Sequence, residues 1–248
     1  MIDLSRIQAV FFDADDTLFE VRGSIGEHYA KQLNRYGHNV AAEDIDRIIP
    51  HAWRRMTSTY DNREEGYVTD HSRDERVWNE FLRNVMYDIG IANPSEGLFA
   101  DIYDEFGKAR SRQLLPHVEQ VLETLSSSIT LGILTNNDKR IHQLIPDLGI
   151  AHHFQYVFCA SDIGYKKPSR LVFSRIAEHV QLEPHQILYI GDCPKNDIHG
   201  ALSAEWNALW IRRNTTLFSE DDSLTFPEAE TAPSISCFSE LLHSFSKV

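Results

Sequence analysis

The sequence predicts an α/β chain: a doubly wound parallel sheet interrupted, after its first strand, by an all-helical lobe. Two observations carry this. Short β-rich apolar runs alternate with stretches of helical periodicity, and a long interval between the first and second of those runs has almost no strand character.

The apolar runs are Ile7 to Asp13, Ile129 to Thr135, Tyr156 to Ala160, Ile187 to Gly191 and Ala208 to Ile211. Being apolar throughout rather than alternating, they suit parallel strands buried on both faces. Between them lie three helical faces spaced i, i+3, i+4, i+7: Val118, Val121, Leu122 and Leu125; Ile141, Leu144, Ile145 and Leu148; Phe173, Ile176, Ala177 and Val180. This alternation covers residues 113 to 212. The core is therefore assigned to residues 1–19 and 113–248, and the lobe to residues 20–112. In the lobe, helices are expected near 24–36, 42–59, 74–89 and 95–113, punctuated by Gly23, Gly37, Gly66, Gly90, Pro94 and Pro116. A polar tail, NTTLFSEDDSLTFPEAETAPS, precedes a closing helix that offers Phe238, Leu241, Leu242 and Phe245 to the core.

Composition narrows the function. With 248 residues and 42% hydrophobic content, the chain can fill a sizeable interior. Lys plus Arg number 24 against 37 Asp plus Glu, and a net charge of -13 argues against binding a nucleic acid polymer. Three widely spaced cysteines, Cys159, Cys193 and Cys237, suit neither a disulfide framework nor a zinc module, so a reducing, cytoplasmic setting is expected. The 12 histidines show no HExxH or paired-ligand spacing, which reads against zinc. No secretory signal and no membrane-length apolar run is legible, so no membrane partner is expected.

Polar residues cluster where the strands end, and in open α/β sheets ligands bind there. Asp13 and Asp15 follow the first strand, Thr135 and Asn136 the second, and Asp192 the fourth, with Asp197 five residues later. Converging carboxylates repel unless a cation joins them, and Mg²⁺ is the usual choice where a phosphate completes the coordination. Lys167, fixed by Pro168 in the loop GYKKPS, is placed to reach the same pocket.

FFDADDTLF, ILTNN, GYKKP and GDCPKND, in that order over residues 11 to 197, resemble the four signature motifs of the haloacid dehalogenase-like (HAD) superfamily, in the branch with a helical cap inserted after the first motif. The resemblance implies a Rossmann-like core, a mobile cap and Mg²⁺-dependent phosphoryl transfer. It implies Asp13 as nucleophile, Asp15 as general acid/base, Thr135 as donor to a phosphoryl oxygen and Lys167 as the charge-stabilising cation. Asp13, Asp192 and the main-chain carbonyl of Asp15 would hold the metal; Asn136 joins Thr135 and Lys167 as a substrate-binding candidate, although Asn136 and Asn137 also suit a turn. Asp197 is expected to cap backbone N–H groups or reach Mg²⁺ through water, and Asp16, where the family often has glycine, to shape the turn.

Dehalogenating members lack an aspartate at the position of Asp15, because halide leaves without a proton. The expected activity is hydrolysis of a small phosphate monoester: a sugar phosphate, a phosphoglycolate-like acid or a nucleoside monophosphate. The alternatives are a phosphomutase or phosphotransferase with the same covalent chemistry, and a catalytically silent binding protein. Arg54, Arg55, Arg73, Arg76, Trp53, Tyr60 and Trp78 are the lobe's candidates for receiving the rest of the substrate.

Overall fold

The computed structural model describes residues 4–59, 65–213 and 226–245. The chain opens with β1 (Ala9–Phe12) and β2 (Phe19–Val21), enters the lobe through α1 (Ile25–Arg35), α2 (Ala42–Thr59), α3 (His71–Asp88) and α4 (Glu96–Glu105), and returns by β3 (Arg112–Leu114). Alternation follows: α5 (Val118–Ser126), β4 (Thr130–Thr135), α6 (Ile141–Asp147), β5 (Tyr156–Cys159), α7 (Ala160–Ile163), α8 (Arg170–Val180) and β6 (Ile187–Gly191). A π-helical turn (Pro194–His199) then runs into α9 (Gly200–Ser203), before β7 (Asn207–Ile211), α10 (Pro227–Thr231), β8 (Ser234–Ile235) and α11 (Phe238–Phe245).

Among the described residues one six-stranded sheet is ordered β5-β4-β1-β6-β7-β8, with every pairing parallel. β1 lies between β4 and β6, so its four residues AVFF are buried on both faces. Val10 and Phe12 point into a core with the inner faces of α5, α6 and α11, while Ala9 and Phe11 point into a second core with α8 and Trp206. That two-sided burial is why the strand reads as an unbroken apolar run. The Phe12↔Ile133 and Phe12↔Ile190 register brings the carboxyl ends of β1, β4 and β6 to one level.

The lobe has its own core, built from Ile25, Tyr29 and Leu33 of α1, Ile45, Ile49 and Met56 of α2, Phe81, Leu82 and Val85 of α3, and Leu98 and Ile102 of α4. Its helices start at side-chain caps. Ser24 and Glu27 form a capping box on α1, Asp70 accepts from the Arg73 N–H on α3, and Ser95 accepts from the Leu98 N–H on α4.

Three sequence expectations need correction. The helix expected over 95–113 stops at Glu105. Buried Glu105 takes Arg110, His28 and Gln32 as partners, which folds the chain back. Residues 112–114 then pair antiparallel with 19–21 as a two-stranded ribbon at the base of the lobe. The third lobe helix starts at His71, not near 74, because Asp70 caps it. Ser234–Ile235, inside and just beyond the stretch read as polar tail, adds the sixth strand beside β7. In the closing helix Phe238 and Leu241 are buried; the side chain of Phe245 lies outside the described residues. No helix among the described residues is long and apolar enough to cross a membrane.

Candidate active site

The strand register delivers Asp13, Thr135 and Asp192 to one cavity of about 310 Å³ between the sheet and the lobe; Asp15, Asn136, Lys167 and Asp197 also line it. Asp13 is anchored by its N–H donating to Ile190 O across β6 at 2.9 Å. Lys167, only 3% exposed, donates from Nζ to Asp13 Oδ1 at 2.7 Å, Asp197 Oδ1 at 2.6 Å and the Tyr189 hydroxyl at 2.7 Å. The Tyr189 hydroxyl in turn donates to Leu134 O at 2.6 Å, so the lysine's partner on β6 is tied to β4. Burial pulls the Lys167 pKa down, but the Asp13 and Asp197 carboxylates outweigh it and hold the ammonium well above its usual range.

Asp197 approaches so closely because residue 191 is glycine: a Cβ there would lie 2.3 Å from Asp197 Oδ2. That oxygen also accepts the Cys193 N–H at 2.9 Å, reaching back to the residue that precedes the Pro194–His199 turn rather than capping a helix that starts after Asp197. Oxygens of Asp13, Asp192 and Asp197 lie within 4.8 Å of one another. Burial, then the charges of Asp197 and Asp13, raise the pKa of Asp192 well above the carboxylate range. Burial likewise raises Asp197, opposed by Lys167, to about 6. Three carboxylates, two of them paired with Lys167, make a set of oxygen donors that fits a hard divalent cation.

Asp15 takes a different set of partners. Asn137 Nδ2 donates to its Oδ2 at 2.7 Å, and Arg112 Nε stands 3.4 Å from its Oδ1. Burial raises its pKa, Arg112 opposes this and Asp13 adds to it. Asp16 adopts the left-handed conformation, φ 59°, where glycine sits without strain. Arg213 donates to both its carbonyl and its carboxylate at 3.2 Å, so it shapes the turn as expected. Burial, with Asp15 adding, raises its pKa to about 7.

Thr135 Oγ1 accepts the Asn137 N–H at 3.2 Å. Asn136 borders the cavity, but its amide is used on Lys167: Nδ2 donates to Lys167 O at 3.0 Å and Oδ1 accepts Lys167 N–H at 2.8 Å. Its evident work is to position the lysine loop. Of the lobe candidates, Trp53 and Trp78 reach the cavity, where they meet Phe81 with ring centroids 5.6 to 5.9 Å apart. The arginines go elsewhere: Arg54 to His51, Arg55 to Asp88 and Arg73 to Glu65, while Arg76 lines a separate groove. Tyr60 lies outside the described residues.

Sequence reasoning missed Arg112, Arg140, Tyr189 and the apolar wall formed by Tyr29, Phe81 and Phe106. Arg140 sits with its Cζ 3.6 Å from the Tyr103 ring centroid and pairs with Asp138 at 2.8 Å, docking the loop after β4 on the lobe. The only signal available for Arg112 was a basic residue at the lobe's return to the core.

A family model for haloacid dehalogenase-like hydrolase matches residues 7–205. The haloacid dehalogenase-like hydrolase domain-containing protein 3 of Bos taurus is 23% identical over 200 residues, covering 79% of this chain and 78% of its own. The HAD-hydrolase YfnB of Bacillus subtilis, solved bound to magnesium, is similar in fold with a TM-score of 0.74 at 19% identity, covering 97% of this chain and 99% of its own. The L-2-haloacid dehalogenase RSc1362 is similar at TM-score 0.70 and 17% identity, covering 98% and 99%.

Proposed function

The chain belongs to the haloacid dehalogenase-like hydrolases, and from that premise we propose that it is a Mg²⁺-dependent phosphatase of small phosphate monoesters. Asp13 attacks phosphorus and forms an aspartyl-phosphate, while the bond to the ester oxygen breaks. Asp15 gives its proton to that departing oxygen, then takes one from the water that hydrolyses the acyl phosphate. Lys167, already on Asp13 at 2.7 Å, neutralises charge between nucleophile and phosphoryl group. Thr135 Oγ1 accepts the Asn137 N–H, which orients the hydroxyl, and its proton is the donor for a phosphoryl oxygen. Mg²⁺ held by Asp13, Asp192 and the carbonyl of Asp15, with Asp197 at hand, would supply the remaining positive charge.

The observation that carries the phosphatase reading is an aspartate at position 15, on the cavity wall and with its pKa raised. An alkoxide leaving group needs a proton; a halide does not. The aromatic wall of Trp53, Trp78 and Phe81 favours esters whose leaving group has a flat or apolar body. The test is hydrolysis of p-nitrophenyl phosphate and a panel of phosphorylated metabolites, with and without Mg²⁺. Turnover that requires Mg²⁺ and vanishes in Asp13→Asn is expected. Release of chloride from 2-chloropropionate without turnover of any phosphate ester would sink the reading.

A further inference from the structure

A second group of ligand-type side chains lies where the lobe meets the core, apart from the carboxylate site. His71 opens α3 of the lobe; His142 in α6, Cys159 at the end of β5 and Asp162 in α7 belong to the core. Ligand atoms of His71, Cys159 and Asp162 all lie within 4.8 Å of one another. Asp162 Oδ1 is 3.5 Å from His71 Nε2 and its Oδ2 is 2.9 Å from His142 Nε2. Cys159 Sγ is 3.9 Å from the same His142 nitrogen. Around a tetrahedral zinc with bonds of about 2.0–2.3 Å, neighbouring ligand atoms stand roughly 3.3–3.8 Å apart. His71, Cys159 and Asp162 form the mutually close group, and His142 stands beside its Asp162 and Cys159 members.

Against the expectation from sequence spacing, we propose that His71, His142, Cys159 and Asp162, brought together by the fold from α3, α6 and the β5–α7 corner, form a zinc site that joins the lobe to the core. The surrounding hydrogen bonds hold the donors in the needed orientation. His71 Nδ1 is bonded to Ser161 Oγ at 3.0 Å, which turns its Nε2 towards Asp162. The Cys159 N–H donates to Asp162 Oδ2 at 2.9 Å and fixes the carboxylate over the sulfur. The His71 and His142 side chains are 48% and 42% exposed, so an ion can enter from solvent above the buried thiol. On binding, a zinc–sulfur bond forms and the thiol proton passes to solvent. Two imidazoles and a sulfur prefer zinc, whereas the all-oxygen set at Asp13, Asp192 and Asp197 suits magnesium, so the two sites take different metals. At this junction the lobe also meets the core through the Thr69 N–H to Gly164 O and Lys166 N–H to Tyr67 O hydrogen bonds, which flank the Val68–Tyr165 bridge. An ion shared by His71 and the core residues adds a clamp across the same line.

The inference does not depend on the phosphatase reading, because it is tested by binding. Chelator-treated full-length protein in excess Mg²⁺ is titrated with Co²⁺, then with Zn²⁺. A thiolate-to-cobalt charge-transfer band that Zn²⁺ displaces is expected. The band is lost in Cys159→Ser and kept in Cys193→Ser. Because Cys159 is buried, His71→Ala provides a variant at a half-exposed residue: it should weaken Zn²⁺ binding by at least about tenfold with unchanged circular dichroism. No band in the parent protein, a band that follows Cys193, or unchanged Zn²⁺ affinity in His71→Ala overturns the site.

Discussion

Asp15 sits between Asn137, which fixes its orientation, and Arg112, whose charge opposes the rise in its pKa. Both partners act on the one residue proposed to move protons, and two substitutions test that role and the charge of Arg112. Asp15→Asn keeps the shape and removes the proton; kcat should fall roughly 10²- to 10⁴-fold on alkyl phosphates. The loss should be much smaller on p-nitrophenyl phosphate, whose leaving group departs as a stable anion. Equal losses on both would assign Asp15 another role. Arg112→Gln removes the charge that favours ionised Asp15, so the alkaline limb of the kcat/KM profile, where Asp15 loses the proton it must donate, should move to higher pH; an unmoved limb would disconnect the pair. The four motifs pointed to Asp13, Asp15, Thr135, Lys167 and Asp192 as one group: the aspartates and the threonine lie at or just beyond strand ends that the strand order brings together, and Lys167 is carried to the same cavity by the loop between α7 and α8. Arg112 was not legible. Its role depends on an antiparallel ribbon that closes a gap of some ninety residues, and nothing local in RSRQLL announces that pairing. The lobe arginines misled for the opposite reason: charge was visible, but Arg54, Arg55 and Arg73 are taken up by His51, Asp88 and Glu65 within the lobe.

At the scale of elements, the site depends on how tightly β1 is held by its neighbours. Gly132 of β4 pairs with Phe11, and a Cβ added there would lie 2.2 Å from the Phe11 ring. That ring is fully buried against Tyr156 and Trp206, with centroids at 6.3 and 5.6 Å, so it has little room to yield. Gly132→Ala should therefore destabilise the fold by about 1–3 kcal/mol through overpacking. The measurement is urea unfolding: a lower midpoint with an unchanged slope fits, whereas an unchanged midpoint would mean the second core is looser than its packing indicates. Five strands and their helices were readable because central strands such as β1 and β6, buried on both faces, write a continuous apolar run, and the edge strand β5 keeps an apolar sequence although only Cys159 of it is fully buried. β8 was not, since two residues carry no period. The over-long fourth lobe helix came from taking helical composition past Glu105, whose capture by Arg110, His28 and Gln32 is a tertiary event.

For the whole molecule, a net charge of -13 is compounded by carboxylates drawn together at the strand ends. Folding raises Asp16 to about 7 and Asp197 to about 6, and pushes Asp192 well above the carboxylate range, burial being the chief cause each time. In an unfolded chain these groups titrate near ~3.9. Between about pH 4 and 7 the folded protein thus keeps protons that the unfolded chain has released, and stability falls as pH rises through that window. Asp138, held below its usual range chiefly by the hydrogen bonds and charge of Arg140 against its burial, has the opposite sign but loses its contribution only below that window. In EDTA the melting temperature should therefore rise as pH is lowered from about 7.5 to 5.5, by roughly 2–4 °C for each kcal/mol gained. Saturating Mg²⁺ at the higher pH should recover much of the same gain, because a cation among Asp13, Asp192 and Asp197 stabilises their ionised forms. Scanning calorimetry across the pH series, with and without Mg²⁺, reads both effects. A melting temperature that falls on acidification in EDTA would show that the buried carboxylates do not govern stability in this range, and that the cluster tolerates its charge without a metal.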